Sequence, residues 1–251
     1  MDPAEFWSLG DYSVIGDLWA QAGRDIVASL TVENKDIVDL ATGTGVSAIA
    51  AARRGGRSVI GVDVTQSLLE EAAHRAETAG VKPQWVQADM HQVPLGDNCA
   101  DLVISTFGLI FSAEPLEALN EAKRLVRTGG EVVFSSWSSS GMFSHIRQAL
   151  APYFPDAPAP WHEDPEDIRR LVGPQAIIRE GWFTVEVNSP ETFVDLMEKH
   201  SAPIILGAQS LGPRWPEARD ALLSTVRRWA EPSALGTSLR ASYLVTSVPV
   251  P

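Results

Sequence analysis

The stretch Asp36-Ile-Val-Asp-Leu-Ala-Thr-Gly-Thr-Gly-Val-Ser-Ala-Ile-Ala-Ala-Ala52 constrains the fold more than any other part of the chain. The apolar run ending at Leu40 has the length of a buried strand, and the alanine-rich run from Val46 to Ala52 favours a helix. Only small residues separate them, so a strand passes through a tight loop into a helix. Gly43 and Gly45 lack a Cβ, which lets the chain turn sharply and lets a ligand approach the N–H groups that open the helix. A nucleotide-like ligand suits such a loop.

The spacing Gly43-x-Gly45-x-x-Ala48 also fits a dinucleotide-binding fingerprint, with Asp63 at about the distance at which a downstream acid contacts a ribose. Asp39 separates the two readings. It stands at the mouth of the glycine loop, where a pyrophosphate would meet a fixed negative charge. S-adenosylmethionine has a cationic sulfonium, an α-ammonium and no phosphate, so the same acid attracts it. The alternative, an NAD-dependent oxidoreductase with a Rossmann fold, lacks a Tyr-x-x-x-Lys pair: none of Tyr12, Tyr153 and Tyr243 has a lysine four residues on.

Asp39-Leu-Ala-Thr-Gly-Thr-Gly45 resembles motif I of the class I S-adenosylmethionine-dependent methyltransferases, acid-x-Gly-x-Gly-x-Gly, with Ala41 at the first glycine position. From about Phe6 to Trp137 the chain is similar to the UbiE-like bacterial small-molecule methyltransferases. The resemblance implies a doubly wound, Rossmann-like α/β fold with a seven-stranded sheet whose last strand is antiparallel. It also implies an N-terminal helical cap, a C-terminal helical lid insertion and S-adenosylmethionine as cofactor.

At 251 residues the chain has room for one embellished α/β domain. The expected division is a cap over 1–30, a cofactor-binding core over 31–137, and lid segments with the final strands over 138–251. Thirty-two acidic against 20 basic residues give a formal net charge of −12, which disfavours a nucleic-acid partner. Cys99 is the single cysteine, the first residues carry no export signal, and no apolar run approaches membrane-spanning length. A cytoplasmic protein with a small-molecule substrate is the expectation. The five histidines lack metal-ligand spacing.

In chain order, Phe6, Trp7, Tyr12, Ile15, Leu18 and Trp19 fall at roughly helical spacing around Gly10, predicting one or two cap helices. By resemblance Tyr12 closes over the cofactor. Ser58 to Asp63 reads as the second strand, Thr65 as a helix N-cap, and Gln84 to Gln87 as the third strand. Asp63 then stands at a strand end, beside Val64, where a carboxylate can accept from ribose hydroxyls. Resemblance gives Asp89 the adenine amino group, Met90 the ring face, and Ser105 the methionine end. His91 reads as a loop residue. Asp101 to Thr106 and Glu131 to Trp137 read as strands around the helix Pro115 to Leu125. The apolar loop Phe107-Gly-Leu-Ile-Phe111 suggests a pocket lining.

Beyond Trp137, helices are expected over Met142 to Leu150 and within Pro190 to Trp229, with strands over Trp182 to Val187 and Ser242 to Val248. The lid is assigned to Met142 to Trp161 and Pro190 to Trp229, over a largely apolar acceptor. His145, His162 and His200 fall in this region. His145 is the candidate general base, because its segment directly follows the fifth strand; proximity alone would need no base.

Overall fold

In the computed structural model, which describes residues 2–251, three short helices precede the first strand: α1 Pro3–Trp7, α2 Tyr12–Leu18 and α3 Ala20–Ser29. The Asp2 and Asp11 side chains cap the first two by accepting from Ala4 N and Ser13 N. One more helix forms than the periodicity predicts, because Trp19 leaves helical geometry (φ −119°, ψ 13°) and splits α2 from α3.

The alternating core follows: β1 Asp36–Leu40, α4 Val46–Arg53, β2 Ser58–Asp63, α5 Gln66–Thr78, β3 Gln84–Gln87, β4 Ala100–Ser105, α6 Pro115–Leu125 and β5 Val126–Trp137. β5 begins earlier than expected. Val126 pairs with Ala100 before the register shifts over the Arg127-Thr-Gly-Gly130 stretch, so the turn is absorbed into the strand as an irregularity. The remaining elements are α7 Met142–Leu150, α8 Pro165–Val172, β6 Ile177–Val187, α9 Pro190–His200, α10 Ala202–Leu211, α11 Trp215–Trp229, β7 Ala230–Ser233 and β8 Gly236–Pro249.

The sheet order is β3-β2-β1-β4-β5-β8-β6. β1 to β5 pair in parallel, and β8 inserts antiparallel between β5 and β6, as the doubly wound reading requires. An eighth strand joins the expected seven: β7 folds back on β8 as a short hairpin, Ser233 opposite Gly236. Side-chain alternation divides the core into two layers. Ile37, Leu102, Ile104 and Val133 face the layer that includes residues of α3, α4, α7, α9 and α11, while Val38, Leu40, Val103, Val132 and Phe134 face residues of α6 and α8.

The strand order reverses between β1 and β4, whose neighbours in sequence lie on opposite sides. In an open parallel sheet a crevice forms beyond the strand ends at that point. The loops after β1, β2, β3 and β4 all open there. Among the described residues, no helix is long and apolar enough to cross a membrane.

Candidate functional site

Two adjoining hollows lie at the carboxyl edge of the sheet. The first is a crevice of about 170 Å³ whose lining includes Tyr12, Ala41, Gly43, Asp63, Val64, Asp89 and Met90. The chain therefore brings seven residues singled out from sequence to one place.

Asp39 is the acid on which the loop is built. It is 1% exposed, and its Oδ2 accepts from Thr42 Oγ1 (2.6 Å) and from Ala48 N at the start of α4 (3.0 Å). Its Oδ1 is buried without a partner. Burial raises the carboxyl from 3.8 to about 7, against the two hydrogen bonds that pull it down. An acid so placed needs a cationic donor to hold its charge.

Asp63 is 7% exposed at the end of β2; it accepts from Gly43 N (2.8 Å) and Thr65 N (2.9 Å), and burial raises its pKa against those bonds. Thr65 is the N-cap residue of α5, as expected, but its side chain makes no capping bond; its backbone N–H donates to Asp63 at the turn into the helix. These bonds bear on the ligand class. Ala48 N and Gly43 N, donors that a pyrophosphate would need, are taken by the chain's own carboxylates. Those two N–H groups are therefore not free to bind a phosphate.

Asp89 accepts from His91 N and pairs with His91 Nδ1 at 2.5 Å, while His91 Nε2 lies 2.7 Å from Ser112 Oγ. The imidazole thus ties the loop after β3 to the loop after β4. Burial pushes the Asp89 carboxyl up, but the His91 contacts outweigh it and leave the pKa lowered. An ionised acceptor therefore stands at the crevice rim.

Gly43 and Gly45 differ in what they do. A Cβ on Gly43 would lie 3.3 Å from Tyr12 Cε1, at the crevice. Gly45, at φ 80°, would instead drive a Cβ into Trp85 (2.8 Å) and Ala72 (2.9 Å), so it serves helix packing and does not line the crevice. Ala41 holds φ 54°, the left-handed backbone that explains why glycine is the motif's usual residue there. Phe107 is also left-handed at φ 54°, an outlier for a bulky side chain. That geometry turns its ring onto Trp137, stacked at 4.1 Å. Ser105 is fully buried; its hydroxyl accepts from Leu109 N and holds the loop, whereas Thr106 lines the crevice.

Tyr12 forms the partition. It borders the crevice, the second hollow, and a void of about 40 Å³ lined by Asp39, Thr42, Thr44, Ser47 and Thr106. Its hydroxyl accepts from Trp19 Nε1 at 3.4 Å, and burial raises its pKa. Trp7 packs edge-on against both Tyr12 (5.5 Å) and Phe111 (4.8 Å), joining the cap to the loop after β4.

The second hollow is a cavity of about 850 Å³ whose walls are largely aromatic and aliphatic, and it shares Trp7, Tyr12, Phe107 and Phe111 with the crevice. α7 presents Phe143, Ile146, Arg147 and Leu150 to it, the i, i+3, i+4, i+7 stripe of one helix face. His145 is off that stripe, which corrects its expected position at the site: its Nδ1 lies 2.9 Å from Gly141 O and its ring faces Trp229 at 5.3 Å. His162 lines the cavity instead, with Glu163 and Arg147. Position in sequence after β5 could not distinguish the two: helix phase turns His145 away, and the irregular segment before α8 brings His162 to the wall. Among the described residues no group of three or more His, Cys, Asp or Glu side chains could hold a metal.

Residues 38–134 match the Methyltransf_11 family model, a methyltransferase domain. An uncharacterised protein of Mycobacterium tuberculosis is 32% identical over 157 residues, covering 62% of this chain and 57% of the relative. The ubiquinone/menaquinone biosynthesis C-methyltransferase UbiE of Roseobacter denitrificans is 36% identical over 124 residues, 48% of this chain and 49% of that one. The chain thus spans roughly half the length of the curated relatives it matches. In fold, it resembles the Synechocystis magnesium protoporphyrin IX methyltransferase with bound S-adenosylhomocysteine (TM-score 0.54, 16% identity, 92% of this chain and 85% of that one).

Proposed function

We propose that this chain, whose residues 38–134 form a methyltransferase domain, transfers the methyl group of S-adenosylmethionine to a small, largely apolar acceptor. The observation that carries the reading is the pair of buried carboxylates on the glycine loop. Asp39 and Asp63 take the donors a phosphate would use, and Asp39 keeps an unpartnered oxygen. A cationic amino-acid end fits that loop, and a dinucleotide does not.

The bound cofactor would supply a methyl group on a sulfonium, an electrophile that needs no further activation. The chain's residues would hold it as follows. Asp39 offers its free oxygen to an ammonium, Asp63 accepts from ribose hydroxyls, and Asp89 accepts from an adenine amino group with Met90 and Val64 beside the ring. Ala41 and Gly43 leave room for the ligand against the backbone. Tyr12 and Phe107 put aromatic faces between crevice and cavity, where a cation is favoured and water is kept out. The acceptor would occupy the 850 Å³ cavity beneath α7, α9 and α10. Its apolar lining and the chain's net charge of −12 support a neutral small molecule over a nucleic acid. The likeness to UbiE supports the same class.

Calorimetric titration with S-adenosylhomocysteine tests this. The chain should bind it, and Asp63→Ala should weaken binding by about 1–3 kcal/mol, since two N–H donors lose their acceptor and the ligand loses its own. Binding of NAD with no response to S-adenosylhomocysteine would end the proposal.

A further inference from the structure

The acceptor cavity carries a side chain that the proposed function leaves without a task. Arg147, Glu163 and His162 bring ionisable groups to its wall. The first two are committed to each other: Glu163 accepts from Arg147 Nε (2.7 Å), Arg147 Nη2 (2.8 Å) and Ser144 Oγ (2.6 Å). Burial raises the Glu163 carboxyl, but these donors outweigh it and leave the pKa lowered, so the pair stays ionic.

His162 is different. Its Nδ1 is buried with no partner, and among the described residues no hydrogen bond reaches either ring nitrogen. Trp161 stands edge-on to the ring at 5.6 Å. Burial lowers its pKa to about 4, with Glu163 pulling up and Arg147 pushing down, so at neutral pH the ring is uncharged and keeps one basic nitrogen. Because Nδ1 is closed off, the ring nitrogen left to meet a ligand in the cavity is Nε2. Tyr12, the nearest alternative on the partition, has a pKa raised by burial and remains a protonated donor.

We infer that the methyl acceptor is a hydroxyl compound, a phenol or enol on a multi-ring or similarly bulky apolar skeleton, and that its O–H donates to His162. This rests on the methyltransferase reading above. The acceptor oxygen forms its bond to the methyl carbon while the carbon–sulfur bond breaks and its electron pair stays on sulfur, leaving a neutral thioether. The hydroxyl proton passes to His162, and the Glu163 carboxylate next to it steadies the imidazolium until the proton leaves to solvent. A weak base removes a proton only as the new bond forms, which selects acidic hydroxyls over alcohols. An amine needs no base for its attack, because its lone pair is available before any N–H proton leaves, so His162 would add little to that reaction.

A matched pair of probes tests this without knowledge of the natural substrate. 1-Naphthol and 1-methoxynaphthalene share the ring system and differ in that a methyl replaces the O–H donor, and each is titrated with S-adenosylhomocysteine at saturation. The wild type should bind the naphthol about tenfold tighter. His162→Phe should abolish that preference while leaving 1-methoxynaphthalene binding unchanged, and His162→Gln, which keeps an acceptor, should retain part of it. No preference in the wild type, or an equal preference in His162→Phe, overturns the inference. Failure of the wild type to bind S-adenosylhomocysteine would overturn the methyltransferase proposal and this inference with it, whereas intact cofactor binding with an unchanged preference removes only the role of His162.

Discussion

The crevice and the cavity share four aromatic walls and are built on opposite principles. The crevice is narrow and carries two carboxylates, Asp63 and Asp89, each fixed by short bonds to backbone or to a neighbouring imidazole, with Asp39 buried beside it in the adjoining small void. The cavity is about five times larger by volume, 850 against 170 Å³, and has an apolar wall with a single ion pair and one unpartnered histidine. Directional polar groups suit a ligand that never changes. Shape and apolar area suit a ligand chosen by size, and much of the wall that supplies them, from Phe143 to Trp215, lies after the matched residues 38–134.

The largest expected effect breaks the wall between the two. Phe107→Ala removes a buried ring stacked on Trp137, and should cost about 3–5 kcal/mol of stability in urea unfolding. If the stability loss stays below about 1 kcal/mol, the loop after β4 is not part of a shared core.

The next effect sharpens the electrostatic side. Moving Asp39 from 3.8 to about 7 corresponds to a preference of up to roughly 4 kcal/mol for its neutral form. The folded state then holds the proton more tightly than the unfolded chain, so stability is full below about pH 4, falls as pH rises, and is lowest above pH 7. Asp63 adds a drop of the same sign. Asp39→Asn should flatten most of that fall between about pH 4 and 7, and should also remove the rise of S-adenosylhomocysteine affinity expected as Asp39 ionises. An unchanged pH profile in the variant would place the titration elsewhere.

The smallest effect concerns the partition. Tyr12→Ala should weaken S-adenosylmethionine more than S-adenosylhomocysteine by about 0.5–2 kcal/mol, because only the former is a sulfonium. The void beneath Tyr12, at about 40 Å³, holds no more than a few waters, so loading the site calls for the cap to move. Hydrogen exchange should show residues 6–20 better protected with S-adenosylhomocysteine than without. Equal protection would mean a permanently closed cap.

What the sequence determined by itself is the part governed by local rules. The strand–loop–helix unit at Asp36 to Ala52, the acids at strand ends and the order of β1 to β5 follow from residue spacing, since a strand end fixes where its next residue points. Ala41, Gly43, Asp63 and Val64 meet in one crevice with Asp89 and Met90, to which the family resemblance points. Tertiary structure decided what depends on phase and on distant partners. Gly45 turned to pack on Trp85, Ser105 sank beneath the loop it holds, and Thr65 stands at the N-cap of α5 without a side-chain capping bond. β7 joined the sheet through a hairpin whose four residues carry no strand pattern of their own. His145 and His162 look alike in sequence, but helix phase turned one toward Trp229 while the fold brought the other, 17 positions later, to the cavity wall. No local pattern reports which side of a lid helix will find a cavity, because the cavity is made by segments far apart in the chain.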